Sequence, residues 1–187
     1  AKFLINRNVK AIVVACNTAS SIALNELRSH FDVPIIGMIE PGAKFAVKEC
    51  KNGRIGVIGT RATVNNQAYS NEIKKINPSI EVFERACPLF VPLAEEGWIS
   101  HRATYEIAEE YLKELRELNI DTLVLRCTHY PILSKVIQEV IGENVKLIDS
   151  GIASAGIVKD ELDRIDLHTN KHSLGNHEFY VSDIPTK

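Results

Sequence analysis

Two short stretches of this chain, VVACNTA at residues 13–19 and VLRCTHY at residues 124–130, decide the fold. In each stretch a run of branched apolar residues leads into a cysteine and then into an amphipathic segment. This pattern predicts a buried parallel strand followed by a helix. Ligands of open parallel α/β sheets bind at such strand-to-helix turns. Two thiols at equivalent turns can face one another across one ligand, which suits a reaction that needs an acid and a base on opposite faces of a carbon.

Predicted strands and helices alternate along the rest of the chain. Strands are predicted at residues 10–15, 33–38, 54–58, 80–85, 122–125, 145–148 and 178–181, and helices at 18–30, 41–50, 88–96, 103–117, 131–141 and 153–162. A further helix is predicted after the tight turn at 59–63, and the polar stretch 167–177 predicts a loop. This order of elements is typical of a doubly wound α/β fold.

The composition excludes several classes of protein. The chain has 187 residues, of which 45% are hydrophobic and 25% charged, as in ordinary globular domains. Its net charge of −2 gives no basic surface for nucleic acid, and no apolar run approaches the ~20 residues that span a membrane. The four cysteines have no CxxC spacing, which argues against a metal site. We therefore expect a reduced, cytoplasmic setting, without a nucleic-acid or membrane partner.

Cys16 and Cys127 are the candidate reactive groups, although a free cysteine is about as often a small buried hydrophobe. Polar residues follow each of them at the start of a predicted helix, Asn17 and Thr18 in one case and Thr128 in the other. The unpaired N–H groups and the dipole of a helix start favour a carboxylate ligand. The neighbours therefore favour a pair of reactive thiols beside a carboxylate site.

Three ionisable residues have two interpretations each. His129, two residues after Cys127, either exchanges a proton with that thiol or is a structural hydrogen-bonding residue. Glu95 and Glu96 precede a glycine in an otherwise apolar stretch. Paired acids at a helix end are usually solvated, but one of them near a thiol can serve as a general acid or base.

The turn at 59–63, GTRAT, carries two threonines between a predicted strand and a predicted helix. Thr60 can cap the helix, and Thr60 and Thr63 can instead bind a carboxylate. The turn lacks the Gly-Lys-Ser/Thr ending of a P-loop, so it does not indicate a nucleotide site. We expect both threonines to line the same cleft as Cys16.

Five motifs in order along the chain resemble those of bacterial glutamate racemases. They are ACNTA at 15–19, EPGA at 40–43, GTRAT at 59–63, CPLFVPL at 87–93 and CTHYP at 127–131. The wider superfamily contains aspartate racemases, in which a glutamate usually stands at the position of His129, so His129 favours glutamate as the substrate. An aspartate or other amino-acid racemase remains the alternative within this superfamily.

The resemblance implies racemisation of L- and D-glutamate without metal or cofactor, by two cysteines that act from opposite faces. Cys16 is expected to act on D-glutamate and Cys127 on L-glutamate, with Glu95 and His129 as catalytic helpers beside Cys127. The residues that match the family's substrate contacts are Asn17, Thr18, Thr60, Thr63 and Thr128. The product D-glutamate feeds peptidoglycan synthesis, and a homodimer is possible.

The family fold consists of two similar doubly wound α/β halves with parallel sheets and the site in the cleft between them. Transferred to this chain, residues 1–40 and 149–187 form the first half and residues 41–148 the second. A family segment with an Asp-Ser-Gly and a Pro-Tyr-Gly motif is not found in the sequence. The first half is therefore expected to be incomplete, and the 187-residue chain to be nearly inactive or to act as a binding module.

Arg126 is a second departure from the family pattern, which has glycine directly before the second cysteine. A glycine there permits close backbone approach, whereas an arginine adds bulk and a positive charge. The sequence leaves two outcomes open: Arg126 lowers the pKa of Cys127, or it blocks the site.

Overall fold

The computed structural model describes residues 1–169 and 175–183. Its strands are β1 (Ile12–Val14), β2 (Ile35–Gly37), β3 (Arg54–Gly59), β4 (Glu81–Ala86), β5 (Thr122–Arg126) and β6 (Lys146–Asp149). Its α-helices are α1 (Lys2–Ile5), α2 (Asn17–His30), α3 (Ile39–Glu49), α4 (Arg61–Asn65), α5 (Ala68–Ile76), α6 (Phe90–Glu95), α7 (Arg102–Glu117), α8 (Ser134–Ile141) and α9 (Ser150–Arg164). A short 3-10 helix, Tyr130–Leu133, precedes α8.

The strands form two parallel sheets. β1 pairs with β2 in a two-stranded sheet, and the other four are ordered β4-β3-β5-β6. Every residue of β5 is buried, and β3 is buried from Ile55 onward, as expected for central strands that helices cover on both faces. The predicted α/β class with parallel sheets is confirmed.

The four-stranded sheet has a hydrophobic core on each face, and alternation along the strands divides the side chains between them. Ile58, Leu123 and Leu125 belong to the core under α6, α7 and α8. Val57 and Val124 belong to the core under α3 and α5. Neighbouring positions at the end of β5 therefore point to opposite sides of the sheet.

α9 leaves β6 and packs against α3, with contacts to β5 and β6 as well. The Asp149 side chain caps α9 by accepting hydrogen bonds from the backbone N–H groups of Gly151 and Ile152, at 2.7 and 3.4 Å. α9 therefore lies beside α3, the helix that follows β2 of the smaller sheet. The division into halves at residues 40 and 149 stays a prediction.

Two sequence predictions need correction. The helix expected after residue 59 is two helices, because Gln67 between them has a left-handed backbone with φ of 49°. The strand expected at 178–181 is wrong: this segment is irregular, and Tyr180 packs instead on Phe3 and Arg7, with ring centroids 5.0 Å apart and the guanidinium 4.1 Å from the ring centre. The loop predicted at 167–177 lies partly outside the described residues.

No helix within residues 1–169 and 175–183 is long and apolar enough to cross a bilayer.

Candidate active site

The order of the strands places a crevice between β3 and β5. After β3 the chain moves outward to β4, and it then crosses back over β3 to β5. The helices that follow β3 and β5 therefore leave the sheet in opposite senses, and ligands of such sheets bind at this switch point beyond the carboxyl ends of the strands. Thr60 follows β3 and Cys127 lies directly after β5.

Cys16 lies at the equivalent point of the smaller sheet. It is exposed and takes an extended backbone conformation as the residue that precedes α2. Its carbonyl accepts the hydrogen bond of the Ser20 N–H at 2.8 Å, so the chain turns into the helix immediately after the thiol. The first N–H groups of α2 lie beside Cys16 and have no intrahelical partner, which favours a carboxylate at this end of the helix.

Cys127 is half-buried against the core under α6 and α8. Burial raises the pKa of its thiol, and the negative charges of Cys16 and Glu95 raise it further, while backbone N–H groups of His129 and Tyr130 lower it. The balance keeps Cys127 in the thiol form near neutral pH.

His129 connects Cys127 to an acidic side chain. Its Nδ1 lies 3.8 Å from the Cys127 Sγ, and its Nε2 lies 3.2 Å from the Glu95 Oε1. The imidazole therefore lies between the Cys127 thiol and the carboxylate of Glu95, which is the last residue of α6. A proton can therefore move between sulfur and imidazole while the carboxylate stabilises the imidazolium that forms.

Thr60 and Thr63 form a hydroxyl pair at the carboxyl end of β3. Their Oγ1 atoms are 3.1 Å apart, and the Thr63 hydroxyl donates to the Thr60 carbonyl at 2.8 Å. Thr60 precedes α4 but makes no capping bond with its side chain, so the capping interpretation is wrong for this hydroxyl. Gly59 makes room for the pair, since a Cβ there would lie 2.7 Å from the Thr63 Oγ1.

Asn17 is buried and tied to the protein by both ends of its amide. Its Nδ2 donates to the Ser150 Oγ at 3.1 Å, and its Oδ1 accepts from the Tyr69 hydroxyl at 3.1 Å. Its side chain therefore holds the start of α2 against α5 and α9. Thr18 and Thr128 follow at the two thiol-bearing turns, half-buried and exposed respectively.

Arg126 lies on the opposite face of the sheet from Cys127. Its side chain is fully buried. The Nη1 atom lies 3.3 Å from the Glu84 Oε2, and the Nη2 atom lies 2.6 Å from the Asn66 Oδ1. Its guanidinium carbon lies 5.2 Å from the centre of the Tyr69 ring. Arg126 therefore does not block the site and is not among the groups that shift the pKa of Cys127, which were the two outcomes that the sequence left open. It forms a buried ion pair with Glu84 instead.

Sequence reasoning gave no role to Tyr69, Glu84, Asn66 or Ser150. The sequence contained one indication of a role for Glu84, because a charged residue inside the predicted strand at 80–85 needs a partner if it is buried. Tyr69 and Ser150 carried none, since each matches the amphipathic pattern of its own helix. Their importance comes from contacts with distant residues.

The pH dependence of Cys127 gives a first prediction. Alkylation of Cys127 by iodoacetamide rises with pH to a midpoint above the ordinary cysteine pKa of about 8.5, because burial and two nearby negative charges disfavour the thiolate. Glu95→Gln removes one of those charges and lowers the midpoint. Rates are followed by mass spectrometry of the Cys127 peptide. Glu96→Gln is the matched control, and an equal shift in both variants contradicts the assignment of Glu95.

The chain is similar in sequence and fold to proteins of known family. The sequence model of the Asp/Glu/Hydantoin racemase family matches residues 1–157. A glutamate racemase of Geobacter metallireducens is 51% identical over 185 residues, 99% of this chain and 68% of that protein, and one of Chlorobaculum parvum is 46% identical over 187 residues, 100% and 69%. The crystal structure of glutamate racemase from Francisella tularensis in complex with D-glutamate superposes with a TM-score of 0.90 at 38% identity, covering 98% of this chain and 68% of that one. The chain spans about two thirds of the length of each.

Proposed function

This chain belongs to the glutamate racemases of the Asp/Glu/Hydantoin racemase family, and on that premise we propose that Cys16 and Cys127 are the two acid–base groups that invert the α-carbon of glutamate. The observation that supports this proposal most is the placement of the two thiols. Each lies at a strand-to-helix turn, directly after a strand of a parallel sheet or one residue beyond it. That arrangement allows an acid and a base to approach one carbon from two sides.

Starting from D-glutamate, Cys16 as a thiolate takes the α-proton. The C–H bond breaks, an S–H bond forms, and the electron pair stays on the α-carbon. The Cys127 thiol then delivers its proton to the opposite face, which gives L-glutamate and leaves a Cys127 thiolate. The raised pKa of Cys127 suits this direction, because the residue is protonated when the substrate arrives.

Starting from L-glutamate, Cys127 must first lose its proton. His129 is 3.8 Å from the sulfur and is held by Glu95 at 3.2 Å, so it is the group that accepts this proton. The thiolate of Cys127 then takes the α-proton, and the thiol of Cys16 supplies one to the other face. The Glu95–His129 pair therefore matters more for the reaction of L-glutamate than for that of D-glutamate.

The substrate carboxylates need donors, since glutamate carries two negative groups and the carbanion adds a third charge. Backbone N–H groups are available at the start of α2, directly after Cys16, and at the start of the 3-10 helix that follows Cys127. Side-chain donors at the same edge of the sheets are the hydroxyls and amide of Asn17, Thr18, Thr60, Thr63 and Thr128. The resemblance supports their role as substrate contacts.

The wider setting follows from the family. The D-glutamate produced supplies peptidoglycan synthesis in the cytoplasm, and the two sheets belong to two α/β halves, residues 1–40 with 149–187 and residues 41–148, around the cleft. A homodimer is the oligomeric state that the family resemblance favours.

Substrate choice tests the proposed function. The chain, joined to the family segment with the Asp-Ser-Gly and Pro-Tyr-Gly motifs on which activity is expected to depend, is incubated separately with both enantiomers of glutamate and of aspartate, and the enantiomers are separated by chiral chromatography. We expect inversion of glutamate in both directions and at least about 10²-fold slower turnover of aspartate, because the shorter side chain cannot place both carboxylates. Equal or faster inversion of aspartate, or no inversion of glutamate, contradicts the proposal.

A further inference from the structure

We propose that Arg126 is a positioning residue that fixes the turn carrying Cys127 relative to the helix that begins after Cys16. This inference rests on the proposed function, because it assigns to Arg126 the task of holding the two reactive thiols at a constant separation. Arg126 is adjacent to Cys127 in sequence, and its side chain extends from the other face of β5 toward α5 and α2.

The Arg126 side chain is held by partners on three sides. Glu84 of β4 pairs with its Nη1, Asn66 accepts from its Nη2, and the Tyr69 ring lies under the guanidinium. The exposed fraction of the side chain is 0% for Arg126 and 9% for Glu84. Such an enclosed ion pair has one well-defined geometry, so β5 cannot shift without breaking several of these contacts.

Two separate routes lead from Arg126 to α2. Through the first, Asn66 accepts from Arg126 with its Oδ1 and donates with its Nδ2 to the Ser21 Oγ at 2.6 Å. Through the second, the Tyr69 ring under Arg126 carries a hydroxyl that donates to Asn17. Both Ser21 and Asn17 lie in the first two turns of α2, so the network holds the end of the helix that carries Cys16.

The sheet is shaped to admit this side chain. Gly59 is the register partner of Arg126 on β3, and a Cβ there would lie 3.6 Å from the Cβ and Cδ of Arg126 as well as 2.7 Å from the Thr63 hydroxyl. The arginine stem and the threonine pair therefore share the space that this glycine leaves.

A role in position rather than in stability is indicated by the cost of the burial. Desolvation lowers the pKa of Arg126, and its Nε is a buried atom that has no hydrogen-bond partner among the described residues. Buried ion pairs are often no more stabilising than apolar side chains of the same size, whereas they do select one geometry. With an apolar residue at position 126, the end of β5 is expected to be about as stable, but its position relative to α2 is expected to be less fixed.

The test compares Arg126→Met with Tyr69→Phe, which keeps the ring and removes the hydroxyl that bonds to Asn17 and to the Met38 carbonyl. We expect each to lower kcat for both enantiomers of glutamate by about 10- to 10²-fold, with smaller changes in KM, because misplaced thiols slow the proton transfers. The double variant is expected to lose little more than Arg126→Met alone, since the bond of the Tyr69 hydroxyl to Asn17 belongs to one of the two routes that start from Arg126. Tyr69→Phe is the milder change and keeps the test decisive if Arg126→Met folds poorly.

Amide hydrogen exchange gives a readout that needs no substrate. In Arg126→Met the hydrogen-bonded amides near the start of α2, from Ser20 onward, are expected to exchange faster, while those of α7 are unchanged. Arg85→Met is the matched control, because Arg85, next to Glu84 on β4, forms a half-exposed ion pair with Glu114 of α7 at 2.9 Å. Unchanged exchange in α2 together with unchanged kcat overturns the inference. An unsubstituted protein that is inactive even with the family segment of the Asp-Ser-Gly and Pro-Tyr-Gly motifs joined to it overturns the proposed function instead, and the exchange measurement then decides on Arg126 alone.

Discussion

Replacing either Cys16 or Cys127 with alanine lowers the kcat of glutamate racemisation by about 10³-fold or more. General acid–base groups contribute up to ~10⁴-fold each, and inversion in either direction uses one thiol as base and the other as acid. Serine in place of either cysteine retains little activity, because a hydroxyl is a far weaker acid than a thiol. The rate is measured by circular dichroism from each enantiomer.

Cys50→Ala is the matched control for both substitutions. Cys50 is a free thiol at the end of α3, beside Asp121 and remote from the crevice. Its replacement is expected to leave kcat within about twofold, as for a change away from the site. Near-normal racemisation by Cys16→Ala or by Cys127→Ala contradicts the assignment of two acid–base thiols.

Glu84→Ala lowers the free energy of unfolding by about 3–5 kcal/mol, because it leaves the positive charge of Arg126 buried without its partner. The same substitution also removes the acceptor of the Ser70 hydroxyl, at 2.5 Å. Urea denaturation followed by circular dichroism gives the free energy. Glu114→Ala removes the exposed partner of Arg85 and is expected to cost only ~0–1 kcal/mol.

The double variant Glu84→Leu with Arg126→Met separates the cost of an unpaired charge from the value of the pair. It is expected to recover most of the stability lost in Glu84→Ala, since two apolar side chains replace the buried pair. If Glu84→Ala is no more destabilising than Glu114→Ala, the Arg126 charge is not buried as described.

The arrangement of strands and the positions of the thiols could be predicted because they depend on local patterns. The apolar runs before Cys16 and Cys127 require buried strands, and a parallel sheet brings the ends of its strands to one edge. Alternation along β5 also contains the information that Arg126 and Cys127 point to opposite faces. The sequence pattern alone did not identify Glu84, Asn66 and Tyr69 as the residues that contact the arginine on that face.

The remaining features depend on contacts between distant residues. Tyr69 and Asn17 are 52 positions apart and Asn17 and Ser150 are 133 apart, and neither pair has a local signal. The segment 178–181, EFYV, is rich in aromatic and branched residues that favour strands, yet Tyr180 packs on an aromatic and a cationic partner at the start of the chain. Local propensity cannot rank these tertiary contacts against strand pairing.

Exchange of the α-proton in deuterated solvent tests the two-thiol account most directly. In single-turnover reactions from each enantiomer, the inverted glutamate is expected to carry deuterium at the α-carbon, because the proton is taken by one sulfur and replaced from the other. Mass spectrometry of the separated enantiomers gives the label. Inverted product that retains the original α-proton in a substantial fraction contradicts the account, since it shows that one group takes the proton and returns it to the opposite face.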